Sequence, residues 1–140
     1  MSALRVDLVT LKYIFMEMIT LKQLITMQSI ALIIDDEKDT CLLLKHFLKR
    51  KGILSYYSHT LQDGIGRVSE LKPNWLFLDN NLPDGFGIDR VEEIKTLSPD
   101  SKIIMISAMG NLLEMANSVG VDTFIEKPLD SLKIENSLTK

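Results

Sequence analysis

Ile30-Ala31-Leu32-Ile33-Ile34-Asp35-Asp36-Glu37 sets five apolar residues in a row against three acids. A short unbroken apolar run rich in β-branched side chains reads as a strand buried on both faces, the kind found in parallel sheets. Three later runs end in the same way. Trp75 to Leu78 stops at Asp79, Ile103 to Ile106 stops at Ser107, and Phe124 and Ile125 precede Lys127 and Pro128. Open parallel sheets bind their ligands at the carboxyl ends of the strands. Three carboxylates, a hydroxyl and an ammonium gathered there suit a divalent cation, a phosphoryl group and its countercharge.

From Ile30 onward, short apolar runs alternate with helical patterns, the signature of βαβ units. The expected strands are Ile30–Ile34, Ile53–Tyr57, Asn74–Leu78, Lys102–Ile106 and Thr123–Glu126. The expected helices are Lys38–Arg50, Leu61–Leu71, Ile88–Leu97, Asn111–Val119 and Asp130 to near Lys140. In the first helix Leu42, Leu43, Phe47 and Leu48 are expected to face inward, and Gly52 to end it. Thr60 should cap the second helix and Asp130 or Ser131 the last, while Gly64 and Gly66 should loosen the second by about 1 kcal/mol each. The fold class is α/β, a flavodoxin-like doubly wound sandwich with a parallel five-stranded sheet in order 2-1-3-4-5.

That order makes the first and third strands neighbours, so Asp35, Asp36 and Asp79 converge. Like charges held that close call for a hard divalent ion with oxygen ligands, and Mg2+ also accepts phosphate oxygens. Asp79, central among them, is the expected nucleophile, a carboxylate able to form an acyl phosphate. Lys127 would supply the countercharge and Ser107 a hydroxyl donor to a phosphoryl oxygen.

The segments Ile-Ile-Asp-Asp-Glu, Leu-Phe-Leu-Asp with Leu-Pro-Asp-Gly after it, Met-Ile-Ser-Ala and Phe-Ile-Glu-Lys-Pro together resemble the receiver domain of two-component response regulators. The resemblance runs over about residues 29–140, with 43 residues from 36 to 79, 28 from 79 to 107 and 20 from 107 to 127. It implies that Asp79 is phosphorylated by a histidine kinase or a histidine phosphotransfer protein. It further implies that Asp36, Asp79 and the Asn81 carbonyl bind Mg2+, with Asp35 assisting through water. Ser107 and Lys127 would hold the phosphoryl group, and the Lys127–Pro128 bond would be cis. Ser107 and Phe124 would act as the switch, Phe124 turning inward as the hydroxyl moves, so that an unknown downstream protein is bound differently. Two rival readings are an aspartyl-phosphate hydrolase and an interaction module independent of phosphorylation. The hydrolase usually places an acid two residues after the nucleophile, where this chain has Asn81, and the module would show a lost acid or lysine.

With 140 residues, 46% of them hydrophobic, the chain has the size of one domain with a sizeable core. A formal net charge of −3, with no zinc-finger spacing or recognition-helix pattern, argues against direct nucleic-acid binding. The single cysteine, Cys41, excludes an intramolecular disulfide and fits a cytoplasmic location. His46 and His59 have no partner at metal-ligand spacing and read as surface or rim residues.

Residues 1–28 form an apolar leader of different character. Arg5, Asp7, Lys12, Glu17 and Lys22 interrupt it, so no membrane insertion is expected, and Lys12 and Glu17 break any signal-peptide core. Leu11, Ile14, Met18, Leu21 and Ile25 recur at spacings of three and four and would stripe one side of a helix. Two readings follow: synthesis begins at Met27, or the leader is a docking or dimer helix.

Overall fold

Five strands pair in parallel because each apolar run can be buried on both faces at once, with helices covering the sheet from either side. The structure is a computed structural model that describes residues 5–139, apart from the side chains of Ile25 and Thr26. The expected extension of the last helix to Lys140, and the place of Ile25 in the leader stripe, lie outside the described residues.

The elements are α1 (Leu8–Thr26), β1 (Ile30–Ile34), α2 (Lys38–Arg50), β2 (Leu54–Ser58), α3 (Leu61–Leu71) and β3 (Trp75–Asp79). A two-residue hairpin, β4 (Asn81–Leu82) with β5 (Gly85–Phe86), comes next, then the 3-10 turn Gly87–Arg90 running into α4 (Val91–Leu97). β6 (Lys102–Ser107), the turn Gly110–Leu112, α5 (Leu113–Val119), β7 (Thr123–Glu126) and α6 (Ser131–Leu138) complete the chain. The sheet order is β2-β1-β3-β6-β7, which is 2-1-3-4-5 when the hairpin is left out of the count. The flavodoxin-like expectation is met.

Alternating residues of each strand feed two cores. Leu32, Ile34, Leu76, Leu78, Ile103 and Met105 pack with Leu61, Ile65 and Val68 of α3, Val91 and Ile94 of α4, and Ala116 of α5. On the opposite face Ala31, Ile33, Phe77, Ile104, Ile106 and Ile125 meet Cys41, Leu44 and Leu48 of α2 and Ile134 of α6. Thr60 caps α3 by accepting from the Asp63 N–H at 3.2 Å, and Asp130 caps α6 by accepting from the Lys133 N–H at 2.8 Å. Gly52 ends α2 and Gly120 ends α5, both with left-handed φ.

Two local expectations are corrected. Leu42 and Leu43 are 63% and 46% exposed, while Cys41, Leu44 and Leu48 form the buried stripe of α2. Their spacing of three and four residues is the helical period, which leaves Leu42 and Leu43 off the inward face. The comparison with alanine does not carry over to Gly64, where a Cβ would stand 2.4 Å from Ile34 Cδ1 and 2.7 Å from its Cγ1. The missing side chain is what lets α3 lie against β1.

The leader is helical as α1, and every described residue from Arg5 to Leu24 is exposed. Among the described residues no helix is long and apolar enough to cross a membrane.

Candidate functional site

The carboxyl ends of β1, β3, β6 and β7 lie in register, and the backbone continues that alignment past the strands. Asp79 pairs with Ile106 and Ser107 with Glu126. Beyond them Asn80 N–H donates to Ile106 O at 3.2 Å and Lys127 N–H to Ser107 O at 2.9 Å. Asp35 N–H likewise donates to Ser58 O at 3.0 Å. Side chains widely spaced in sequence are thereby delivered to one rim.

Carboxylate oxygens of Asp35, Asp36 and Asp79 lie within 4.8 Å of one another. Asp35 is fully buried and Asp79 is 4% exposed, whereas Asp36 stands in solvent. The Lys127 ammonium is 3.4 Å from Asp35 Oδ2, 3.5 Å from Asp79 Oδ1 and 3.2 Å from Glu37 Oε1. Asp35 Oδ1 accepts from the Glu37 N–H at 2.8 Å, but Oδ2 is buried without a hydrogen-bond partner among the described residues.

Those surroundings set the electrostatics. Burial, reinforced by the neighbouring Asp35 charge, pushes the Asp79 carboxyl up to about 6 against the pull of Lys127. Burial also raises Asp35, with the Glu37 N–H and Lys127 acting the other way. Lys127 is drawn down by burial, yet the Asp79 and Asp35 carboxylates outweigh this and hold it above its ordinary value. One ammonium faces several carboxylates, so the rim keeps an excess of negative charge. Burial, helped by the nearby Asp35 and Asp36 charges, pushes the Cys41 thiol up to about 12, which leaves it an inert core residue.

Ser107, buried at the end of β6, accepts through Oγ from the Met109 N–H at 3.0 Å. Phe124 is half-buried in β7 and packs against the core shared with α3, α4 and α5. The Lys127–Pro128 peptide is cis. Asn81 opens the hairpin two residues beyond Asp79, with its side chain in solvent. The fold thus gathers Asp35, Asp36, Asp79 and Lys127, places Ser107 on the same rim, and sets Phe124 two positions before Glu126, the residue that pairs with Ser107.

Several residues that build the rim escaped the sequence reading. Buried Asn80 accepts from Ile88 N–H through Oδ1 at 3.0 Å and from Gly87 N–H through its carbonyl at 2.8 Å, folding the loop back on the end of β3. Gly87 is required there, since a Cβ would lie 2.4 Å from the Asp79 carbonyl oxygen. Asp84, which reads as a turn residue, accepts from the Leu61 and Gln62 N–H groups at 2.8 and 2.9 Å and so caps α3 from a distant loop. Glu37 competes with the aspartates for Lys127. His59 touches Asp35 O through Nδ1 at 2.9 Å, a rim contact of the expected kind. Beside the acids, Leu43, Pro128 and Leu129 line a groove of about 430 Å3 that reaches Glu37 and Lys127.

Comparison with known proteins points one way. Residues 31–139 match the family model described as "Response regulator receiver domain". The chain is similar to the chemotaxis protein CheY of Thermotoga maritima, with 30% identity over 113 residues that cover 79% of this chain and 94% of that protein. It is also similar to the photosynthetic apparatus regulatory protein RegA of Rhodovulum sulfidophilum, with 28% identity over 109 residues, 76% of this chain but only 60% of that protein. A solved response regulator protein from Burkholderia pseudomallei, described with a phosphorylated aspartic acid, a calcium ion and citrate, superposes with a TM-score of 0.74. It is 21% identical, over 79% of this chain and 66% of that one, so the likeness is one of fold.

Proposed function

The chain belongs to the response regulator receiver family, and from that premise we propose that it is a Mg2+-dependent phosphoryl acceptor in which Asp79 is phosphorylated by a histidine kinase or a histidine phosphotransfer protein. The observation that carries this reading is the set of three carboxylates within 4.8 Å, with Lys127 Nζ 3.5 Å from Asp79. No surface of this kind is needed to hold a sheet together.

The donor set fits the ion. Hard carboxylate oxygens surround the position, and one of them, Asp35 Oδ2, is buried with no hydrogen-bond partner among the described residues. Asp35, Asp36 and Asp79, with the Asn81 carbonyl, would hold Mg2+. When bound, the ion neutralises charge on phosphoryl oxygens. An Asp79 carboxylate oxygen forms the new bond to phosphorus while the bond from phosphorus to the donor imidazole nitrogen breaks. The electron pair stays on that nitrogen, which takes up a proton. Lys127 exchanges part of its pairing with Asp35 and Glu37 for the arriving phosphoryl oxygens. Ser107 turns from the Met109 N–H and donates to another of them. Phe124 follows into the space behind it, and the surface of α5, β7 and α6 changes for a downstream protein. The apolar rim of Leu43, Pro128 and Leu129 gives the donor protein a footing next to Lys127.

The aspartyl phosphate and the calcium ion of the Burkholderia pseudomallei protein support this chemistry on the same fold. In this reading the chain works in the cytoplasm as a signalling acceptor without substrate turnover. Acetyl phosphate with Mg2+ should add one phosphoryl group by intact mass to the wild type and none to Asp79→Asn, with labelling lost in EDTA. Equal labelling of the two proteins, or none with acetyl phosphate and with a phosphorylated histidine donor alike, would falsify the proposal.

A further inference from the structure

The α1 helix carries more apolar surface than a monomer has use for. Its 19 residues span about 28 Å. Leu8, Val9, Leu11, Tyr13, Ile14, Phe15, Met16, Met18, Ile19, Leu21 and Leu24 are all exposed. A helix that is apolar on every side is ordinarily buried against something, and the receiver body does not cover this one.

The pattern of the charges says what does. Leu11, Ile14, Met18 and Leu21 take heptad positions a, d, a and d, with residue 25 the next a. Lys12, Glu17 and Lys22 then fall at b, g and e, so the seam itself holds no charge. Successive charges five residues apart are rotated by about 140° from one another, which leaves α1 without the single polar face that a helix lying in a membrane surface shows. Flanking a parallel, in-register pair of helices, each g position meets the e position five residues further along the other helix. Glu17 of one copy therefore meets Lys22 of the other, on both sides of the seam. The antiparallel arrangement about the same seam brings g against g and sets Glu17 against Glu17. Phe15 at e and Leu24 at g widen the strip that pairing covers.

We propose that α1 pairs with α1 of a second copy of this chain in a parallel two-stranded coiled coil, which holds two receiver domains side by side. The inference is independent of the phosphoryl chemistry, because no described side chain of α1 takes part in the ion pairs of the acid rim.

Sedimentation equilibrium of the full chain tests it. Wild type should be a dimer, and Ile14→Asp or Leu21→Asp, each placing an unpaired acid in the seam, should raise the dissociation constant about 100-fold or more. Glu17→Lys and Lys22→Glu should each weaken pairing about tenfold, and the double swap should restore it. Unchanged Trp75 fluorescence and acetyl phosphate labelling would show that the receiver domain is intact in every variant. A monomeric wild type, a monomer that instead floats with anionic phosphatidylserine vesicles, a dimer indifferent to Ile14→Asp, or a double swap no better than the singles would each overturn the proposal.

Discussion

The carboxyl rim of the sheet and the α1 helix depart from the same rule in opposite directions. At the rim, Asp35 and Asp79 are charge-bearing groups held out of water. Along α1, leucines, methionines and aromatics stand in it. Each region is poorly matched to its surroundings in the isolated chain, and in the two proposals each would be matched by an addition: a cation and a phosphoryl group in one case, a second helix in the other. A feature that does nothing for the fold of the monomer is where binding should be sought.

The largest effect should separate core from leader. Leu44 is fully buried on α2 against the sheet, whereas Met16 lies at an f position of α1, away from the proposed seam. Leu44→Ala should lower the unfolding free energy by about 2–5 kcal/mol through lost transfer and the cavity left behind. Met16→Ala should move it by less than about 0.5 kcal/mol. Urea unfolding followed by Trp75, the single tryptophan, measures both. A comparable loss from Met16→Ala would mean that α1 is part of the folding core, and the contrast between the regions would collapse.

At the rim the charge of Asp79 opposes folding. A carboxyl raised to about 6 in the folded protein binds its proton more tightly there than in the unfolded chain, where the ordinary value is 3.8. Stability from this group is therefore full below pH 4, declines as pH climbs towards 6, and stays lower above it. Asp79→Asn removes the titration. Without divalent ions the variant should be more stable than wild type by on the order of 2–3 kcal/mol at pH 8, with the gap closing below pH 4. Mg2+ should narrow the gap at pH 8 by stabilising wild type. Thermal unfolding across pH decides it, and an Asp79→Asn no more stable at pH 8 would show that Lys127 already neutralises the rim.

How much of this was legible beforehand depends on whether the information is local. Asp35, Asp79 and Ser107 each sit directly after an apolar run and Lys127 one residue beyond another, so all four could be assigned to strand ends from near neighbours, and the alternation of strands and helices supplied the topology. Cys41-Leu42-Leu43-Leu44 is four apolar residues without a phase, and Leu42 and Leu43 stay outside the core because only the neighbouring strands set the helix rotation. The Asp84 cap on α3 joins residues 22 and 23 positions apart, and Asn80 closes its loop on Ile88. Both depend on where the loop lies once the sheet exists, and neither has a signature in composition or period.

Gly64 and Gly66 carry the same lesson into the smallest expected effect. Helix propensity treats them alike and favours alanine at both by about 1 kcal/mol. Gly66 is exposed with nothing within 4 Å of an added Cβ, so Gly66→Ala should stabilise by roughly that amount. Gly64→Ala would drive its methyl into Ile34, and overpacking of about 1–3 kcal/mol should outweigh the propensity gain and leave a net loss near 1 kcal/mol. Ile34 immediately precedes Asp35, so a displaced Ile34 should also slow acetyl phosphate labelling, which Gly66→Ala should leave unchanged. Equal stabilisation by both substitutions would mean that Ile34 yields freely, and that the rim is less firmly tied to the core beneath it than its burial implies.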